Sequence, residues 1–146
     1  MAISTPQLTN YSLDQVTIAL GPILFDGFQE GDAVTIETPD GFGMVIGGDG
    51  RVTRYKTLNR TATVTVKLMQ SSAANDLSSG LYNLDVSAPN GAGVAPLFIR
   101  DGSGRSIYTA AQAWIQKAPD VTFANEATSR EWVIVCAKLV RSDGGN

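Results

Sequence analysis

Thr61-Ala62-Thr63-Val64-Thr65-Val66-Lys67-Leu68 is the stretch that decides the fold. Ala62, Val64, Val66 and Leu68 alternate with Thr61, Thr63, Thr65 and Lys67. A period of two puts the apolar set on one face of a half-buried strand, and β-branched residues on both faces suit a pleated backbone. Working outward, Ala33-Val34-Thr35-Ile36-Glu37 repeats the scheme on a shorter scale. Gln15-Val16-Thr17-Ile18-Ala19-Leu20 is a third run, stopped by Gly21-Pro22, with Ile23-Leu24-Phe25 continuing beyond the break. Met44-Val45-Ile46 and Arg51-Val52-Thr53-Arg54-Tyr55 flank Gly47-Gly48-Asp49-Gly50. Two β runs around a Gly/Asp cluster predict a hairpin.

Toward the C-terminus, residues 94–100 form another strand pattern, and Asp101-Gly102-Ser103-Gly104 turns the chain into a run from Ile107 to Ile115. Its alanine content would allow a helix. The alternation of Ile107, Thr109, Ala111, Ala113 and Ile115 favours a strand. Residues 131–140 are the last strand. It is apolar on both faces, with Trp132, Ile134 and Cys136 against Val133, Val135 and Ala137. One face can pack on the core, and the other needs a helix or a neighbouring subunit. One helix is expected, capped by Ser71 or Ser72. Ala73, Leu77, Leu81 and Leu84 would form its apolar stripe, Gly80 weakens it, and Pro89 to Gly93 ends it. The order of strands, one helix, then strands reads as mainly β: antiparallel sheets with a helix covering one side.

The 146 residues suit one domain with a core of its own, and no linker, repeat or charge run divides them. Charged residues are 17% of the chain, below the roughly 25% usual in soluble domains, which leaves neutral surface that partners can cover at little desolvation cost. Net charge is −3, which argues against a grip on nucleic acid, because that needs clustered Lys and Arg. The distribution says more. Residues 1–50 carry seven acids and no base, and residues 51–67 carry five bases (Arg51, Arg54, Lys56, Arg60, Lys67) and no acid. Opposed patches suit head-to-tail contact between copies. Equally, the two segments could pair as neighbouring strands within one fold. Residues 1–7 show neither the basic nor the apolar region of a secretory signal, and no apolar run reaches the roughly 20 residues of a membrane-spanning helix.

Catalytic groups are hard to find. Without a histidine there is no Ser-His-Asp or Cys-His unit and no ready zinc or haem site. The single cysteine, Cys136, sits in an apolar run and reads as a packing residue. Lys138 reads as a snorkelling strand lysine. Most acids stand in turns such as Asp26-Gly27, Asp40-Gly41 and Asp49-Gly50, where the backbone explains them. Glu30-Gly31-Asp32 offers too few ligands to specify calcium. The glycines of residues 40–50 form neither GxGxxG nor a P-loop. Trp114 and Trp132 lie in apolar runs and read as core, against a carbohydrate-binding module that would display them. No enzyme and no cofactor are expected. Residue chemistry alone stops at self-assembly or binding.

A family likeness goes further. Gly43-Met44-Val45-Ile46-Gly47-Gly48-Asp49-Gly50, followed by residues 61–68, resembles the tail tube proteins of contractile-tailed phages. Gly31 to Glu37 fits the same pattern. So do the helix start after Met69 with Asn75 and Leu77, then Tyr82-Asn83, and residues 117–126 with Glu131-Trp132. The likeness spans about residues 11–140. It implies two packed antiparallel sheets and a flanking helix, in a single tail tube domain over residues 1–146. It further implies six-membered rings, strands from six copies building one barrel, and rings stacked helically inside a contractile sheath. The partners implied are other copies of the chain, the sheath protein, and baseplate and tail terminator proteins. DNA would pass through the lumen unbound, and the protein would reside in the virion after assembly in the host cytoplasm. Such proteins usually reach the next ring by a long hairpin or loop, which would fall on residues 39–59. Asp40, Phe42, Met44, Asp49, Arg51, Arg54 and Lys56 are then the expected contacts between subunits or rings. Other tube-fold components, namely a baseplate protein, a terminator or a type VI secretion tube relative, share these features.

Overall fold

The computed structural model describes residues 11–102 and 104–144. The N-terminal stretch read above for a signal, residues 1–7, lies outside them. A single 3-10 turn, Leu13–Gln15, leads into strands β1 (Thr17–Leu20), β2 (Ile23–Phe25), β3 (Val34–Glu37), β4 (Phe42–Ile46), β5 (Val52–Lys56) and β6 (Ala62–Met69). Helix α1 (Ala74–Ser87) follows, and then β7 (Ala95–Arg100), β8 (Ile107–Lys117), β9 (Ser129–Cys136) and β10 (Val140–Ser142).

The alternation in β6 does what its period predicts. Ala62, Val64, Val66 and Leu68 are buried, while Thr63, Thr65 and Lys67 between them stay half-exposed. β6 pairs along its whole length with β9, from Ala62 opposite Cys136 to Met69 opposite Ser129, and along its other edge with β3. All pairings are antiparallel, in the order β2-β1-β7-β8-β9-β6-β3, with β10 beside β8. The sheet curls, and the segment after β2 closes onto β6, one strand in from the far end. Just after β2, Phe28 bridges to Leu68, and Met69 N–H donates to Gly27 O at 2.7 Å. One apolar core results, shared by Ile18, Leu20 and Phe25 from one half and Val64, Val66, Trp132 and Ile134 from the other. The expected mainly β antiparallel fold with one helix is what forms. Its two layers are halves of this curled eight-stranded sheet, and a second small sheet consists of β4 and β5 alone.

Several local expectations change. Gly21-Pro22 does not merely interrupt a strand: it reverses the chain, so that Ile23 lies opposite Leu20. Gly21 supplies the left-handed φ of 58° that this turn requires. Residues 107–117 are a strand, but its alternation breaks. Ala95 pairs with Ala113 and Leu97 with Ala110, so β8 carries one extra residue there, a bulge that turns Ala111 outward and Ala110 inward. The strand expected over residues 131–140 ends at Cys136, and a separate short strand, β10, begins at Val140. Lys138 therefore sits exposed in the bend before β10 and does not lie along a strand. Trp132 is buried, whereas Trp114 is half-buried on the outer face of the sheet beside Val135. Val133 and Val135 lie half-covered on that same outer face.

The helix is also rotated from its expected setting. Ala74 and Ser78 are its buried residues, with Leu81 and Tyr82 packed at the margin, while Leu77 and Leu84 are 55% exposed. The sheet already fills the core, so the helix approaches through its small residues and turns the leucine stripe outward. No serine side chain caps it in the usual way. Ala73 is the capping residue, and Ser72 Oγ accepts a long 3.3 Å bond from Ala74 N–H while donating to Asp26 O at 2.7 Å.

Candidate functional site

Residues 39–59 form the hairpin that the Gly/Asp cluster predicts. Phe42 pairs with Lys56, Met44 with Arg54, and Ile46 with Val52. The turn closes through Gly47 N–H to Arg51 O at 2.8 Å and Gly50 N–H to Gly47 O at 2.9 Å. Asp49 holds it twice, accepting from Arg51 N–H at 3.0 Å and pairing with the Arg51 guanidinium at 3.2 Å. At the base, Thr57 Oγ1 donates to Asp40 O at 2.5 Å and Thr57 N–H donates to Gly41 O at 3.0 Å.

Antiparallel pairing sorts the side chains. Phe42, Met44, Ile46, Val52, Arg54 and Lys56 share one face, and Gly43, Val45, Thr53 and Tyr55 share the other. The first face is apolar with a basic margin, and the Arg54 guanidinium lies 4.6 Å from the centroid of the Phe42 ring. On the second face the Tyr55 ring covers Gly43 so closely that a side chain there would collide with it. Among the described elements, β4 and β5 pack substantially only on each other. Met44 and Ile46 stay 63% and 62% exposed, and Phe42, Val45, Val52 and Tyr55 all exceed half. Phe42, Met44, Ile46 and Val52 thus form one exposed apolar patch, the kind of surface from which interaction sites are built.

Of the seven expected contact residues, the fold brings Phe42, Met44, Arg54 and Lys56 onto one face. Asp49 and Arg51 pair at the tip, and Asp40 stands at the base. Ile46 and Val52 belong to the same face, and their alternation with the chosen residues was the signal that could have named them. The charge segregation has a mixed outcome. The acidic and basic segments do lie side by side, as β3 on β6 and β4 on β5, yet Asp49–Arg51 is the one ion pair joining them among the described residues. Most of these charges are left to face solvent or a partner.

Burial pushes the Cys136 thiol up to about 11, the state of an inert packing residue. Among the described residues no three His, Cys, Asp or Glu side chains gather to hold a metal, and no helix is long and apolar enough to cross a membrane. The strongest polar cluster ties down the C-terminal strand. Arg141 donates to Asp143 at 2.9 and 3.0 Å and to Thr38 at 3.0 Å, while Tyr108 donates its hydroxyl to Asp143.

Comparison with known proteins gives this surface its setting. The structural protein ORF10 of Pseudomonas phage KPP10 is 33% identical, over 94% of this chain and 84% of its own length. Solved structures share the fold at low identity. The sheath-tube complex of the extracellular contractile injection system PVC in its extended state aligns with a TM-score of 0.60 at 9% identity, over 91% of both chains. The tube-terminating cap of the anti-feeding prophage aligns at 0.59 and 10%, over 98% of this chain and 97% of that one. The model of the bacteriophage PhiTE tail tube protein family matches residues 15–143, and the chain belongs to that family of structural, non-enzymatic tail proteins.

Proposed function

We propose that this protein is the subunit of the inner tail tube of a contractile tail, six copies closing a ring and rings stacking helically into a conduit for DNA. The observation that carries this reading is the β4–β5 hairpin, an ordered, apolar, basic-edged projection that stays largely exposed among the described residues. A monomer has no use for such a surface, whereas a repeating assembly buries it once per copy and removes exposed strand edges as well. Phe42, Met44, Arg54 and Lys56 are the contacting face, Arg51 and Asp49 the tip, and Asp40 the base. Sheath, baseplate and terminator proteins are the other partners, and the site of action is the virion tail after assembly in the host cytoplasm. The test is reversal of Arg51, Arg54 and Lys56 to Glu. Tube growth falls more than ring formation when both are counted by electron microscopy, and unchanged tube lengths contradict the assignment.

The fold likeness to a tube-terminating cap favours a second reading, a ring that ends the tube. The two differ in whether stacking continues. An isolated subunit that gives single rings and never tubes belongs to the second.

A further inference from the structure

The hairpin needs a receiving surface, and the same molecule carries one that fits it. A groove of about 930 Å³ opens where the start of β1, the end of β2, the end of β6 and the start of β9 converge. Leu13, Val16, Leu24, Phe28 and Met69 make its apolar lining. Exposed Asp14, Asp26 and Glu30 also line it, and among the described residues no Lys or Arg does. Its walls are fixed. Met69 N–H donates to Gly27 O and Gln29 N–H to Lys67 O. Gln70 N–H donates to Thr128 O at 3.0 Å, and Thr128 N–H returns a bond to Gln70 Oε1 at 3.1 Å. A groove held open by its own backbone loses little conformational freedom when filled.

We infer that this groove receives the β4–β5 hairpin of a second copy of the chain. The match is chemical on both counts. The hairpin face is apolar through Phe42, Met44, Ile46 and Val52 and basic through Arg54 and Lys56. The groove is lined by apolar side chains and by the carboxylates of Asp14, Asp26 and Glu30. Such complementarity fixes orientation and register more than raw affinity. Hairpin and groove are different patches of one chain, so the contact is heterologous and head-to-tail. It propagates from copy to copy instead of closing as a two-fold dimer. The apolar hairpin then has an occupant site, and the acidic N-terminal third of the chain has a use.

This inference rests on the tube reading for its biological setting but is tested apart from it. A photo-cross-linking amino acid replaces Phe42 in isotopically heavy protein, which is mixed with light wild-type protein at assembly concentration. Captured peptides are then sequenced by mass. Capture of light residues 13–30, 69–70 or 127–129 is expected. Asp14→Lys with Glu30→Lys in the light copy lowers that capture about tenfold, and Arg54→Glu with Lys56→Glu in the heavy copy restores it. Both groove positions are exposed, and an unchanged melting temperature excludes a folding defect. Capture elsewhere on the light copy, or none, overturns the inference. Tubes that form while capture falls elsewhere leave the tube reading standing. Groove capture in assemblies that never grow into tubes leaves the docking standing and removes the tube.

Discussion

The indole N–H of Trp132 donates to Oδ1 of Asn75 at 2.9 Å, joining the buried centre of β9 to the first turn of the helix. Asn75 completes the junction by donating through Nδ2 to Met69 O at 3.0 Å. An otherwise lightly packed helix is thereby fixed to the sheet by one side chain that both gives and receives. Replacing Asn75 by Ala strands a buried indole donor, and we expect a loss of about 1–3 kcal/mol in urea unfolding. A loss within 0.5 kcal/mol, in the range of ordinary surface substitutions, means the helix is held in some other way.

The hairpin is structurally separable, so stability and assembly should come apart there. Tyr55 lies on Gly43, an aromatic ring covering a glycine whose missing side chain leaves the space. Gly43→Val displaces that ring on the face opposite Phe42 and Met44 and so bends the two-stranded ribbon that presents them, while the core has nothing to lose. We predict a melting temperature within a few degrees of wild type, consistent with a change under about 1 kcal/mol, together with loss of self-association in sedimentation. Full assembly by Gly43→Val would dissociate the shape of the hairpin from oligomer formation.

Much of this was legible in the sequence, and the failures have physical causes. The strict alternation of residues 61–68 pointed to β6, because a strand with one wet face must alternate. The Gly-rich turn gave the hairpin and with it the clustering of Phe42, Met44, Arg54 and Lys56. The β8 bulge was invisible, since one inserted residue leaves composition unchanged and only shifts phase at Ala110 and Ala111. The helix orientation was misjudged because leucines outrank Ala74 and Ser78 in hydrophobicity, although only small residues fit against a filled sheet. The groove could not be read at all: Leu13, Phe28, Met69 and Thr128 are brought together by topology alone.

Cys136 should resist alkylation. Burial raises its thiol to about 11, so almost no thiolate exists at pH 8, and the residue is closed to reagents. We expect iodoacetamide labelling of the native protein to be slower than labelling in denaturant by orders of magnitude. Comparable rates would mean that the β6–β9 core opens readily.

The clip around β10 should depend on pH at both ends of its range. Hydrogen bonds from Arg141 and Tyr108 hold the Asp143 carboxyl below its ordinary 3.8, and the bond to Asp143 raises the Tyr108 phenol above its ordinary 10.0. A lowered carboxyl contributes above its unfolded value and loses that contribution as pH falls through the folded one. A raised phenol contributes below its unfolded value and loses that as pH rises through the folded one. Amide exchange in Val140–Ser142 should therefore be slowest between about pH 4 and pH 10 after correction for intrinsic rates. Asp143→Asn should remove the dependence, and a flat wild-type profile contradicts the clip.

The acidic balance of the chain leads to one expectation about the assembled conduit. Where the wall faces DNA, Asp and Glu should outnumber Lys and Arg, so that phosphates are repelled and the strand slides. A cryo-EM reconstruction of the tube counts them directly, and a neutral or basic wall removes this explanation of DNA passage.

The most direct measurement is negative-stain electron microscopy of the purified protein after long incubation at high concentration. Hollow tubes of uniform diameter, built from stacked rings, are the result predicted. Particles that remain small, even with tail components added to start growth, would contradict the inner-tube assignment.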